Sequence, residues 1–262
     1  MHSISLIIAV YKNIEVLALI LKSISKQSIT EGVEVIIAED NNSNAMREFV
    51  SDSKAKYQFP ILHVAQEDIG FRKCKILNEA VRVSNNDYLI FVDGDCILHK
   101  QLIAEHLKFR NKGIALYGRR VMVSETLSKM VINSKNLGLL NLFYLILFGS
   151  KRLDAALYNP FSKPKWKLGF WGHNWGIFKE DLLQVKGYDE GYEKAGIGED
   201  TDLEWRLEQV GIKFCRLKNR LIQYHIWHKE NYPNTLEVEA RLKNKQENFK
   251  QTGDKKWLMG SL

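Results

Sequence analysis

The chain has 262 residues, of which 45% are hydrophobic and 26% charged, and its formal net charge is +7. That length suits one large α/β domain with a proper core, and the balance is that of a globular chain rather than a disordered or fibrous one. The charge favours anionic partners, but the lysines are scattered, which argues against a nucleic-acid arm, and the isolated Cys74, Cys96 and Cys215 exclude a thiolate metal site and point to a reducing compartment.

Ile4 to Val10 is an apolar, β-branched run and is predicted as the first strand, ended by Tyr11-Lys12-Asn13. No basic n-region or cleavage site precedes it, so a cytoplasmic chain is expected. Leu17, Ile20, Leu21 and Ile24 recur at helical spacing within 16–25. Val33 to Ala38 is a second buried strand, running into Glu39-Asp40-Asn41-Asn42-Ser43, and a polar helix follows over about 44–54. Ile61 to Ala65 is a third strand, 66–73 a loop holding Asp68, Gly70 and Arg72, and 75–83 a helix with Ile76, Leu77, Ala80 and Val81 inward. Tyr88 to Val92 reads as a strand buried on both faces, and Asp93-Gly94-Asp95 follows directly.

Strands alternating with helices predict βαβ units and a mostly parallel sheet, whose ligand site lies beyond the carboxyl ends of the strands. No Gly-x-x-x-x-Gly-Lys-Ser/Thr loop occurs, which excludes a P-loop, and no Gly-x-Gly-x-x-Gly follows the first strand, which argues against a dinucleotide fold.

The second half is less regular. It predicts a helix over 101–109, a strand within 114–123 and one helix over 126–148 that ends strongly apolar. The apolar run 137–148 is too short to span a bilayer. It suits a core helix, an oligomer contact or a segment resting on a membrane face. A basic surface loop follows over 151–167, then a strand over 172–178, a short helix over 180–185 and a glycine-rich loop over 187–198. A helix over 199–210 carries Leu203, Leu207 and Val210 on one face. Short strands at 212–217 and 221–224 and a polar helical tail from 234 complete the chain.

Three clusters carry chemistry. Asp93 and Asp95, one residue apart at a strand end, suit a hard divalent cation shared with substrate phosphates; the plain alternative is an Asp-Gly turn. Glu199, Asp200 and Asp202 open a helix, where carboxylates also simply offset the macrodipole. Asp200, three residues before Leu203 and seven before Leu207, shares their face and leans towards the core or a cleft, where it can act as a general base. His225 and His228 follow a strand among aromatics; an imidazole beside carboxylates fits Mn²⁺ better than Mg²⁺. Phe170, Trp171 and Trp175 offer rings for stacking on sugars.

In this order the motifs resemble glycosyltransferase family 2 with the GT-A fold. Ile7-Ile8-Ala9-Val10-Tyr11-Lys12-Asn13 resembles the opening strand and nucleotide loop, and Asp93-Gly94-Asp95 the DxD motif. The segment 34–43 resembles the second strand, with Glu39 and Asn41 at the family's first aspartate and glycine. Gly172-His173-Asn174-Trp175-Gly176-Ile177-Phe178, Gly187-Tyr188-Asp189-Glu190 and Gly198-Glu199-Asp200-Thr201-Asp202-Leu203 resemble the galactosyltransferase-like C-terminal region of capsule and chondroitin-type polymerases and β-1,4-galactosyltransferases. The loop 192–197 lacks the tryptophan that such relatives often carry before Glu-Asp.

The resemblance implies an α/β GT-A domain over 1–231, with a nucleotide-binding half (1–98), an acceptor half (99–231) and a helical tail (232–262). It implies an inverting, metal-dependent transfer from a nucleotide-sugar, a UDP-sugar being favoured, to a glycan or lipid-linked glycan in surface polysaccharide synthesis, with no nucleic acid partner. Val10, Tyr11, Asp40, Arg72, Lys73, Asp93 and Gly94 would face the nucleotide-sugar. Asp95 and His225 would bind Mn²⁺ (or Mg²⁺), with His228 sharing that role or touching the diphosphate. Asp200 would be the base, with Glu199, Trp171 and Trp175 on the acceptor. A nucleotidyltransferase and a basic nucleic-acid-binding domain are the competing readings.

Overall fold

The computed structural model describes residues 3–166, 169–194, 198–229 and 236–262. The end of the loop 192–197 and the start of the tail predicted from 234 lie outside them. Nine of the strands and helices make up the first half: β1 (Ile4–Val10), α1 (Ile14–Ile24), β2 (Val33–Glu39), α2 (Asn44–Lys56), β3 (Ile61–Ala65), α3 (Lys73–Val83), β4 (Tyr88–Asp93), β5 (Cys96–Leu98) and α4 (Leu102–Phe109). Then come β6 (Ile114–Tyr117), β7 (Arg119–Met122), α5 (Glu125–Ser134), α6 (Leu142–Leu147), β8 (Lys165–Trp166), β9 (Asn174–Phe178), α7 (Lys179–Leu183), α8 (Glu199–Gln209), β10 (Lys213–Arg216), β11 (Ile222–His225) and α9 (Leu236–Thr252).

The main sheet runs β3-β2-β1-β4-β9-β6-β10-β8. Its first four strands are parallel, because each returns through a helix; β9 enters antiparallel between β4 and β6. β1, β2 and β4 are buried on both faces, which explains their unbroken apolar runs. One apolar layer packs Leu17, Ile20 and Ile24 of α1 under one face, and a second sets Ile76, Leu77 and Ala80 of α3 under the other. Asn13 caps α1 by accepting the Val16 N–H at 3.1 Å, and Ser43 caps α2 through Met46 at 3.2 Å.

A smaller sheet, β5-β11-β7, lies beside the main one. β5 leaves the DxD turn at once and pairs antiparallel with β11, and β7 pairs with β11 in parallel. This sheet carries His225 to the Asp95 turn, where the Ile226 N–H donates to the Asp95 carbonyl at 2.9 Å.

Three expectations change. The helix predicted over 126–148 is broken: α5 ends at a left-handed Lys135, a 3₁₀ turn covers Leu137–Leu139, and α6 starts afresh. Asn136 and Asn141 account for the break, each accepting a backbone N–H two or three residues on (Gly138 at 2.9 Å, Tyr144 at 3.2 Å). The stretch 114–123 is two strands, divided at Gly118, where a Cβ would stand 2.1 Å from the Leu221 carbonyl oxygen. The loop 151–167 contributes β8, an edge strand antiparallel to β10.

Candidate active site

Val10, Tyr11, Asp40, Asp93, Gly94 and Asp95 meet at the carboxyl edge of the main sheet, lining a cleft of about 1200 Å³. That exceeds a typical small-ligand pocket of about 300–1,000 Å³, leaving room for two substrates. The glycine of Asp93-Gly94-Asp95 is there for space. The turn crosses the end of β1 so closely that Gly94 N–H donates to the Ala9 carbonyl at 2.7 Å, and a Cβ would lie 2.6 Å from that oxygen. Only glycine lets both carboxylates reach the cleft from this position.

Asp40 is a clamp as well as a cleft residue. Its carboxylate accepts the Arg72 backbone N–H at 2.8 Å and the Gln66 amide at 2.6 Å, fixing the 66–72 loop. Arg72 therefore contributes its backbone; its guanidinium donates to the Glu67 carbonyl and does not line the cleft. Glu39 turns inward, accepting from Ser43 at 3.1 Å and meeting His63 at 2.9 Å. Asp93 is neutralised by Lys73 Nζ at 2.8 Å, with Arg120 at 4.0 Å.

Asp95 Oδ2 lies 3.3 Å from His225 Nε2 and 3.2 Å from His228 Nε2. Potential ligand atoms of all three residues fall within 4.8 Å of one another. Burial pushes the Asp95 carboxyl up, but its contacts with the two imidazoles outweigh that and hold it well below its ordinary range. One carboxylate oxygen with two imidazole nitrogens fits Mn²⁺ better than Mg²⁺, which prefers an all-oxygen set. The structure brings both histidines to the same oxygen, so neither is set aside.

Across the cleft, α8 begins with Glu199 and Asp200. Asp200 Oδ2 accepts the Gly172 N–H at 2.7 Å, and a Cβ on Gly172 would sit 2.1 Å from Asp200 Oδ1. Burial raises the Asp200 pKa, with Lys73 and the Gly172 N–H acting against it. Glu199 is buried, its Oε2 has no partner among the described residues, and burial together with Asp200 pushes its pKa up to about 8. The folded value lies above the ordinary 4.5, so stability falls as pH rises between the two. Glu199→Gln, neutral throughout, should match the parent in thermal unfolding at pH 4.5 and exceed it by about 10 °C at pH 8.5. An equal gain at both pH values would contradict the assignment.

Trp171 stands 40% exposed at the cleft mouth. Trp175 does not reach the cleft: it is fully buried and stacks on Phe91 with centroids 4.6 Å apart. Alternation along β9 sends it into the core, where Phe170 meets its edge at 5.0 Å. The sequence reading missed Arg120, Arg152, Glu204 and His173, all of which line the cleft. Glu204 fixes the Trp171 loop by accepting the Gly169 and Phe170 N–H groups at 2.6 and 2.8 Å. His173 is buried with both ring nitrogens unpartnered among the described residues, and burial keeps it neutral. The Arg119-Arg120 pair beside Gly118 was the available signal for a basic cleft wall.

The comparisons agree with this architecture. The family model "Glycosyl transferase family 2" matches residues 5–185, and the model "N-terminal domain of galactosyltransferase" matches 155–229. The chain is 21% identical to a chondroitin synthase of Escherichia coli, covering 85% of this chain and 34% of that one. It is 24% identical to the uncharacterized glycosyltransferase YfnE of Bacillus subtilis (strain 168), covering 91% and 68%. The chain thus spans about a third of the synthase and two-thirds of YfnE. Among solved structures, GalNAc-T7 with UDP, GalNAc and Mn²⁺ superposes with a TM-score of 0.65 at 14% identity, over 92% of this chain and 47% of that one. The Pyrobaculum calidifontis mannosyltransferase PcManGT, in complex with GDP-Man and Mn²⁺, gives 0.60 at 15% identity, over 96% and 64%. A family match over well over half the chain, on a GT-A sheet with the DxD turn at its carboxyl edge, sets aside the nucleotidyltransferase reading: this chain belongs to glycosyl transferase family 2 and is a glycosyltransferase.

Proposed function

We propose that the chain is an inverting glycosyltransferase that moves a sugar from a nucleoside diphosphate, with UDP favoured, to a saccharide or lipid-linked saccharide in surface polysaccharide synthesis. One observation carries this reading: a single cleft holds the Asp93-Gly94-Asp95 turn with its two histidines on one wall and Asp200 on the other. Val10, Tyr11 and Asp40 border the nucleotide, and Lys73 and Arg120 supply positive charge beside Asp93. Asp95, His225 and His228 would hold Mn²⁺, which supplies Lewis-acid neutralisation of the diphosphate. Asp200 takes the proton of the acceptor hydroxyl as its oxygen bonds to the anomeric carbon. The bond from that carbon to the diphosphate oxygen breaks on the opposite side, and the leaving nucleotide keeps the electron pair, so the configuration inverts. Glu199, its pKa pushed up to about 8 by burial and Asp200, is protonated at neutral pH and can donate a hydrogen bond to the acceptor.

Proton NMR of the product tests the stereochemistry: an α-linked donor should give a β-linked product, and retention would overturn the inverting mechanism. Gly172→Ala tests how Asp200 is held. The added methyl must displace that carboxylate, and a shift of about 1 Å should cost on the order of 100-fold in kcat with nucleotide binding unchanged. Near-normal kcat would show that Asp200 is not held by this contact.

The proposed site of action is cytoplasmic, against the membrane where a lipid-linked acceptor resides. No described helix is long and apolar enough to cross a bilayer. Support comes from Phe143, Ile146 and Leu147, which share one face of α6 and are 67%, 57% and 60% exposed, with exposed Lys135 and Lys151 before and after the helix. The chain should pellet with vesicles containing anionic lipid, and Phe143→Ser with Ile146→Ser should abolish pelleting. A parent chain that stays in the supernatant at low salt would contradict it.

A further inference from the structure

The mouth of the cleft beside Asp200 is built around arginine. Trp171 precedes Gly172, whose N–H holds the Asp200 carboxylate, and Trp171 and the proposed base line the same cleft. Two guanidinium groups lie against that ring: Arg119 Cζ at 4.6 Å and Arg152 Cζ at 4.7 Å from its centroid. They arrive from separate elements, β7 and the loop after α6. Successive residues of a strand point to opposite faces, which sends Arg120 towards Asp93 and leaves Arg119 for Trp171.

Neither Arg119 nor Arg152 has a carboxylate partner among the described residues. Among the described residues the Arg119 side chain donates once, through Nη2 to the Gly169 carbonyl at 2.8 Å, and its buried Nη1 has no hydrogen-bond partner. Arg152 is exposed and lines the cleft, and its side chain makes no hydrogen bond among the described residues. Glu204, which lines the cleft with Asp200, is already committed to two backbone N–H groups. Two like charges side by side repel; Glu204 offsets this at Arg119 only through space, and the aromatic ring braces both guanidinium groups. A guanidinium braced by its face keeps its N–H edge for a bidentate oxyanion. What the Trp171 ring positions is therefore positive charge.

We propose that Arg119 and Arg152, braced on Trp171, form an anion subsite on the acceptor side, so that the acceptor carries a carboxylate or phosphate beside the sugar that receives the transfer. This rests on the transferase reading above, because it is Asp200 as base that makes this the acceptor side. The same chemistry comes from a uronic acid or from a sugar phosphate, and the probes separate the two.

The test is ligand-observed NMR on the full chain with methyl β-glucuronide, glucose 1-phosphate and methyl β-glucoside, each with and without UDP and Mn²⁺. At least one charged probe should bind about tenfold or more tightly than the neutral glucoside, and the tighter charged probe names the source. Arg119→Gln with Arg152→Gln should erase that preference and leave UDP affinity unchanged. Equal binding of charged and neutral probes, or a preference that survives in the double variant, overturns the subsite. Loss of UDP affinity in the double variant also overturns it, by assigning the pair to the donor diphosphate. If UDP fails to bind the parent chain, the proposed UDP-sugar donor falls. The anion preference is then still decided by the samples without nucleotide.

Discussion

Asp200→Asn is expected to reduce turnover by ~10²–10⁴-fold while leaving nucleotide and Mn²⁺ binding intact. The change is isosteric, and the asparagine oxygen can still accept the Gly172 N–H now given to Asp200 at 2.7 Å. The loop holding Trp171 therefore stays in place, and only the ability to take a proton is removed. The pH profile gives the same test from another direction. Burial raises the Asp200 pKa above its ordinary value, and a base works only when ionised. Parent kcat should fall as pH drops through that raised pKa, and the residual activity of Asp200→Asn should lose this acid limb. A variant with near-parent kcat, or one that keeps the limb, would mean that another group, Glu199 first, takes the proton.

Asp95→Ala is expected to abolish the Mn²⁺ dependence of nucleotide binding. The carboxylate lies within 3.3 Å of both His225 and His228, so on the proposed reading its loss would remove one metal ligand and the partner that orients the other two. Altering only the groups that orient metal ligands commonly costs about 10–100-fold in affinity, and loss of a ligand should cost at least as much. The fold should survive, because Asp95 lies at the cleft and its structural bond to Ile226 uses the backbone carbonyl. Titration calorimetry of UDP with and without Mn²⁺ reads the effect directly. Unchanged heats would remove Asp95, and with it the histidine cluster, from metal binding.

Much of this site is legible in the sequence because its framework is made of buried parallel strands. Such strands are apolar without alternation, so β1, β2 and β4 stand out, and the polar residues after them mark the carboxyl edge. Asp93 and Asp95 stand at that edge by position, whereas Asp200 opens a helix like many capping carboxylates and is singled out only by the order of the motifs. The direction of a side chain on β9 does not: that strand is buried on both faces, and nothing in Gly-His-Asn-Trp-Gly says which face meets the cleft, so Trp175 looks as available as Trp171. β5 and β8 have three and two residues, too few for any period to register, and their pairing depends on distant partners. The arginine pair on Trp171 joins residues 119, 152 and 171 across three elements. No local pattern announces it. The break before α6 was readable, in Asn136 and Asn141, but the apolar spacing around them masked it.

The central claim is that one cleft binds a nucleotide-sugar through Mn²⁺ held at Asp95, and thermal unfolding in the presence of nucleoside diphosphates and their sugars, with and without Mn²⁺, tests it most directly. A ligand at 100 times its dissociation constant adds about 2.7 kcal/mol, which for a chain of this size is a shift of roughly 5–10 °C. The account predicts such a shift with UDP or one of its sugars, present with Mn²⁺, absent without it and lost in Asp95→Ala. A folded sample that shifts with no nucleotide in the presence of Mn²⁺, or shifts equally without the metal, would contradict it.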